Sequence, residues 1–440
     1  MLEHSEHSLH PEHPIIRRWP GLALVRLSAL VRLSALVCLS ALVCLCLLAP
    51  AAAFAQTTSA APPPDAWEQA RWRFGPLAMT PSVTMSNLGV DTNVFNQPED
   101  PKQDFTVTVG PKVDWWLRAG RARLLGSDLV EGVYFATYPS QNGLNQKHSA
   151  TFELPINRLR PYAGASWLTT NDRPGYEIDA RARHTETGVK GGAVIRLTNI
   201  VNLDLGVTRV DYEFTGDEVF QGSSLAKQLN RRTQTYGATI RAKVTPLTTI
   251  KVSADGVTER FTQSPGRDND GYRILGGVEM DAFALVKGNA SAGYRKLDML
   301  APGVTDYSGP VWAADLAYTL KGMTRFGVGA SRDVLFSFEI TEPYYVQTGW
   351  SLSVTQVLRG PWDVQARGGW YRLAYRRALL QDVLPDSRID HYNTWGGGIG
   401  YKVGPATRIG VNADYYRRQS SRDLRNYEGL RAGVTVTYGF

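Results

Sequence analysis

Charged side chains in this chain recur at alternate positions inside apolar runs. Arg408 and Asp414 share one face of a segment whose other face carries Ile409, Val411, Ala413 and Tyr415. Asp363 and Arg367 stand in the same way opposite Trp362, Val364 and Ala366. Arg241, Lys243, Lys251, Arg325 and Arg431 repeat the pattern, with Asp255 and Glu259 among them. The chemistry open to such residues is electrostatic. Rings of interleaved Arg and carboxylate in a wide channel set selectivity, and an excess of Arg favours anionic solutes. The same residues also read as wall charges that neutralise one another, and both readings stay open.

Nucleophilic and metal chemistry have little to work with. Past the N-terminal segment the histidines are His148, His184 and His391, and no two have metal-ligand spacing. Ser149 follows His148, but neighbouring strand residues point to opposite faces, so the pair is poorly placed for a lipase. Gly396-Gly397-Gly398 is not followed by the Lys-Ser/Thr of a phosphate loop. Asp268 and Asp270, and Asp382, Asp386 and Asp390, lack EF-hand spacing and read as solvated loop charge. No catalytic residue, cofactor or metal is expected.

The elements that would position the charges are strands. From about Met79 to the end, alternating runs of roughly ten residues follow one another between turn signals. They number about eighteen, a size that leaves an aqueous channel when the sheet closes. The gaps alternate in length. Arg118–Gly120, Thr198-Asn199, Lys321-Gly322 and Gly404-Pro405 are short, whereas Asn171–Arg181, Thr215–Leu229 and Arg377–Asp390 are long and polar. The expectation is an all-β fold: a transmembrane antiparallel up-and-down β-barrel with short periplasmic turns and longer extracellular loops. Thr215–Leu229 and Arg377–Asp390 are the loops expected to constrict it. Lipid demands the closure, because an open sheet edge there leaves backbone groups unsatisfied. Aromatic residues near strand ends, such as Trp115, Tyr134, Trp362 and Tyr415, fit interfacial girdles. The last run alternates Leu430, Ala432, Val434, Val436, Tyr438 and Phe440 against small or polar residues. Tyr438 and Phe440 are read as the assembly signal, and Thr435 stands where the usual signal has Gly.

Composition agrees. The chain has 440 residues, with 48 Lys plus Arg against 41 acidic residues, too evenly mixed for a nucleic-acid patch. Mean hydropathy is negative, as in a barrel whose strands are half wet. Residues 1–55 read as a signal peptide, with arginines before the apolar run Leu33–Leu48 and cleavage after Ala55. The run repeats a hexapeptide and holds Cys38, Cys44 and Cys46, so the mature chain is expected to lack cysteine. Residues 56–78 read as a periplasmic tether and 79–440 as the barrel. The implied location is the bacterial outer membrane. The implied partners are its lipid, the barrel-assembly machinery, and polysaccharide or small hydrophilic solutes. Two rivals remain: a structural or adhesive barrel with a blocked lumen, and a barrel lipase.

The segment Leu88–Gln97 (LGVDTNVFNQ), the strand pair about the Gly120-Arg121 turn, and turns with Pro just before a strand (RPYAGASW, GPWDVQARGGW, GPATRIGVNADYYRR) resemble the putative β-barrel porin-2 group. The resemblance spans roughly Met79 to Phe440. It implies an outer-membrane pore, with exopolysaccharide export as a role of some relatives.

Overall fold

The computed structural model describes residues 66–280, 285–377 and 388–439. Within them, eighteen long strands form one antiparallel sheet in sequential order. They are β1 (Leu77–Asp91), β2 (Asp104–Ala119), β3 (Ala122–Phe135), β4 (Gly143–Glu153), β5 (Leu159–Thr170), β6 (His184–Arg196), β7 (Val201–Phe214), β8 (Arg231–Thr245) and β9 (Thr248–Phe261). There follow β10 (Asn269–Met280), β11 (Val286–Met299), β12 (Tyr307–Leu320), β13 (Thr324–Phe336), β14 (Tyr344–Val357), β15 (Trp362–Arg376), β16 (Ile389–Val403), β17 (Thr407–Gln419) and β18 (Tyr427–Gly439). Strand β18 pairs with β1, from Ser82 opposite Gly439 to Asp91 opposite Arg431, and this closes the ring. A ring of this strand number is roughly 35 Å across between opposite backbones.

Sidedness follows from the alternation. Val207 is 57% exposed and Val411 56% exposed, and exposed apolar residues such as Leu205, Ile240, Ile250 and Ile399 face outward with them. In water such a surface would be unstable, and in lipid it is the expected outer face. At the short-turn end, Gly120 (φ +61°) and Gly404 (φ +73°) adopt the left-handed conformation that lets a strand reverse tightly. Before the barrel, a helical turn Ala66–Gln69 leads into Trp72–Phe74, which folds back on Leu77–Met79.

Two departures from regularity matter for the site. Strand β1 holds one extra residue relative to both neighbours, at Asn87 (φ +54°). Second, the ladder between β12 and β13 stops at Trp312 opposite Arg332, while that between β13 and β14 runs on to Phe336 opposite Tyr344. Above Arg332 this hairpin leans inward. Val334 and Val346, outward by alternation, are buried against Leu297, Tyr307 and Val311.

Candidate functional site

Much of the inner wall's cationic charge sits in ion pairs. Arg408 makes a bidentate contact with Asp363, Nη2 to Oδ1 at 2.6 Å and Nε to Oδ2 at 2.9 Å. Arg367 donates Nε to Asp414 Oδ1 at 2.6 Å, and Nη2 to Oδ2. Arg431 donates to Asp91 at 2.9 Å and lies over the Tyr416 ring. On the next part of the wall Arg241 reaches Asp204 at 2.8 Å, Lys251 reaches Glu279 at 3.0 Å, Arg273 reaches Asp255 at 3.2 Å and Arg295 lies 3.6 Å from Glu259. These pairs bridge neighbouring or next-neighbouring strands, because inward positions alternate in register. Lys243 and Arg325, near the short-turn end, are exposed and make no ion pair with the described residues. A cavity of about 530 Å³ lies against Arg367, Asp414, Tyr371, Tyr392, Tyr416 and Arg431. A second, of about 240 Å³, adds Arg408, Asn412 and Thr435.

At the long-loop end the loops turn in and meet. The β5–β6 loop sends Tyr176, Glu177, Ile178 and Asp179 inward, and Glu177 is 2% exposed. Across the ring, Ser337 at the tip of the β13–β14 hairpin donates its hydroxyl to Glu177 Oε1 at 2.6 Å. Strands β5 and β14 are half a ring apart, so this bond spans the mouth. Arg418, at the end of β17, donates Nη1 to Tyr176 O (2.6 Å), Glu177 O (3.0 Å) and Asp179 Oδ2 (2.8 Å), and Nη2 to Asp390 Oδ2 (2.5 Å). Arg388 holds the same Asp390 oxygen at 2.6 Å. Arg425 donates to Glu177 O, and its guanidinium lies over Phe220. Arg267, from the β9–β10 loop, binds Ser337 O, Glu339 O and Gln228 Oε1.

Apolar packing supports this network. Ile178, Phe220, Leu225, Leu229 and Phe338, from three different loops, form one buried cluster. Tyr176 stacks on Tyr371 at 4.1 Å and leans on Tyr392 at 4.8 Å. Burial pushes the Glu177 carboxyl up to about 7, against the lowering influence of Ser337, Arg388, Arg425 and Arg418. Burial also pulls Arg267 down to about 10, which leaves it cationic at neutral pH.

The segment Asp91-x-Asn93-Val94-Phe95, singled out in the sequence, ties this mouth to the closing seam. Asp91 accepts from Asn93 N, the Tyr416 hydroxyl and Arg431. Asn93 donates to Gln97 O and Glu428 O. Val94 O accepts from Arg173, and Asn96 donates to Asp179 O. The motif thus anchors the inward loop as well as turning the chain. That turn is also why β1 ends at Asp91.

Of the charges read from alternation, Arg367, Arg408, Asp414 and Arg431 line the cavities, Asp363 pairs with Arg408, and Arg241, Lys251, Asp255 and Glu259 take part in the wall's ion pairs. The Thr215–Leu229 loop contributes Phe220 and the helix Leu225–Leu229 to the mouth. Arg377–Asp390 falls mostly outside the described residues, though Arg388 and Asp390 are seen in the network. The sequence reading passed over Glu177, Asp179, Arg267, Ser337, Arg418 and Arg425. Arg418 was within reach: continuing the inward series of Arg408, Asn412 and Asp414 along β17 arrives at it. Asp390 is held by two arginines, and Asp268 accepts from Phe261 N. His148 faces outward, while Ser149 faces inward and bonds Ser127 O.

Tyr438 lies on the outer face opposite Val83 and Thr407, and Phe440 lies outside the described residues. Removing Phe440, or replacing Tyr438 with alanine, is expected to lower the amount of heat-modifiable barrel in the outer membrane several-fold. Unchanged levels would show that neither residue is the signal.

A profile of the family described as Putative beta-barrel porin 2 matches residues 65–440. The chain belongs to this family. It is a porin-like β-barrel of the outer membrane. No curated protein matches it. Similar solved structures include OccK1 (OpdK) of Pseudomonas aeruginosa, 11% identical over 82% of this chain and 98% of that one, with a TM-score of 0.44. OccAB3 of Acinetobacter baumannii is 9% identical over 82% and 99%, with a TM-score of 0.47. The FrpB iron transporter of Neisseria meningitidis is 9% identical over 79% and 64%, with a TM-score of 0.41.

Proposed function

We propose that this protein is a gated channel for hydrophilic solutes whose resting state has a closed mouth. The observation that carries this reading is the contrast along the axis. The wall is polar and lined with cavities, whereas the mouth is held by hydrogen bonds between loops from opposite sides of the ring. Neutral saccharides suit the wall better than anions do. Arg367, Arg408 and Arg431 each face their own carboxylate, so the field projected into the lumen is small. Tyrosine rings beside paired charges offer stacking and hydrogen bonding together. Polysaccharide export, the role drawn from the family resemblance, is the most specific form of this reading. Exposed Lys243 and Arg325 leave a weak anion preference at the short-turn end. Delivery by a signal peptide within residues 1–55, and insertion by the barrel-assembly machinery, belong to the same reading.

Planar-bilayer recording tests it. The wild type is expected to give rare, small steps, and a variant with residues 174–179 replaced by Gly and Ser large, sustained ones. A folded variant that stays silent would sink the channel reading. It would favour a structural or adhesive barrel with a blocked lumen, which the packed mouth also supports. Charge selectivity gives a second measurement. Replacing both Asp363 and Asp414 with asparagine in the loop variant frees Arg408 and Arg367, and the reversal potential is expected to move toward anions. An unmoved potential would mean that these pairs do not face the permeation path.

A further inference from the structure

One acid–imidazole contact lies mid-strand on the outer face of the wall. Asp128, mid-strand in β3, and His148, mid-strand in β4, are directly paired and face outward with Val113, Gly126 and Ala150. His148 Nδ1 lies 2.7 Å from Asp128 Oδ1, and Trp115 Nε1 donates to Oδ2 at 2.6 Å. Trp167 stacks on the imidazole at 5.6 Å. Both side chains are well exposed, 37% for His148 and 40% for Asp128. Other outward charges lie toward the long-loop ends of their strands, as Lys296 lies beyond Tyr294 and Arg417 beyond Tyr415. Asp128 instead lies mid-strand, well inside Tyr134 and between the outward Gly126 and Val130. Ionisable groups at this depth are costly and mark functional positions.

The cluster is built, not incidental. A Cβ at Gly126 would come within 2.4 Å of Trp115 Cζ2, so the glycine lets the indole lie flat on the wall and reach Asp128. The acid accepts two N–H bonds and keeps lone pairs free. His148 Nε2 has no partner among the described residues. The site therefore pairs spare acceptor capacity with a spare imidazole nitrogen, at a depth where hydrocarbon supplies neither.

We propose that this patch is a lateral docking site for a second copy of the chain. The patch is self-complementary. A two-fold axis beside it brings Nε2 of each His148 to Asp128 of the other copy. As an imidazolium, His148 donates Nδ1–H to its own acid and Nε2–H to the partner's, so that one residue pair satisfies its equivalent and is satisfied in return. Alanines at 150 and 165 on the same face leave room for the two walls to approach. The interface uses the outer wall alone and is independent of whether the lumen conducts.

Sedimentation equilibrium in density-matched detergent, across a range of protein-to-detergent ratios, tests the proposal. The purified wild type is expected to fit a monomer–dimer equilibrium. His148→Leu and Asp128→Leu should each weaken it at least tenfold while the heat-modifiable band is retained, because apolar replacements suit the lipid face. Trp115→Phe, which removes only the indole N–H, should weaken it less. A wild type that is monomeric throughout, a dimer equally tight in His148→Leu, or a constant mass of bound lipid or another protein on a single chain would each overturn it.

Discussion

Replacing Arg418 with alanine is expected to open the mouth of the barrel. The guanidinium is almost wholly buried, and it satisfies two loop carbonyls and two carboxylates at once. Without it, Asp390 keeps Arg388, but Asp179 is left with Arg425 at 3.8 Å, and the carbonyl of Tyr176 loses its guanidinium donor. Removing one partner of a buried pair costs about 3–5 kcal/mol, mostly as the uncompensated charge that remains. At about 1.4 kcal/mol per tenfold change, this shifts the docked-to-undocked ratio of the β5–β6 loop by roughly two to three and a half orders of magnitude. The strands hold their own ladders, so the barrel should still migrate as a folded band. Single-channel conductance and hydrogen exchange at residues 171–183 read the effect. Arg418→Lys keeps the charge but lacks the planar fork that serves four acceptors, and should fall between the two. Exchange at the loop unchanged from wild type would refute the role given to Arg418.

The second large effect is on pH. Glu177 is buried in the closed mouth with its carboxyl raised from 4.5 to about 7, and in an open mouth it would meet water and titrate normally. The closed state therefore binds the extra proton between those two values. Closure gains stability as pH falls through about 7, levels off below about 4.5, and is weakest above 7. The full difference is on the order of 3 kcal/mol. The groups facing Glu177 are the Ser337 hydroxyl and the guanidinium groups of Arg388, Arg425 and Arg418, and these arginines stay cationic across the window. Open probability in bilayers is accordingly expected to be higher at pH 8 than at pH 5.5. Glu177→Gln, which keeps an acceptor for Ser337 without a titrating proton, should stay closed and insensitive to pH over the same range. A wild type whose gating ignores pH, or a glutamine variant that still responds, would remove Glu177 from the mechanism.

The wall was legible because lipid enforces a rule with period two on every strand. Ile409 and Arg408 sort to opposite faces from their order alone, and the ladders follow. Loop lengths carried the polarity in the same way. The mouth was not legible, because its contacts have no period. Glu177 sits in a loop whose composition is polar and rich in turn formers, like any loop facing water. Its burial depends on Ser337, 160 residues away, at the tip of a hairpin that leans inward only because its ladder to β12 ends early. The pairing of wall charges was half visible. Alternation put Arg367 and Asp414 on one face, but their contact depends on the register of β15 across β16 to β17.

The extra residue in β1 shows how a closed ring accepts a change in chain length. Met85 stands between Val436 on β18 and Val109 on β2, and Val90 stands between Ala432 and Phe105. Between those two levels both neighbours advance equally, and β1 alone takes an additional step at Asn87. The stagger summed around the ring is then the same above and below the insertion, so closure does not register it. What changes is the lining, since Asn87 borders both cavities. The seam is thus a position where one added residue reshapes the lining while every other strand of the cylinder keeps its place.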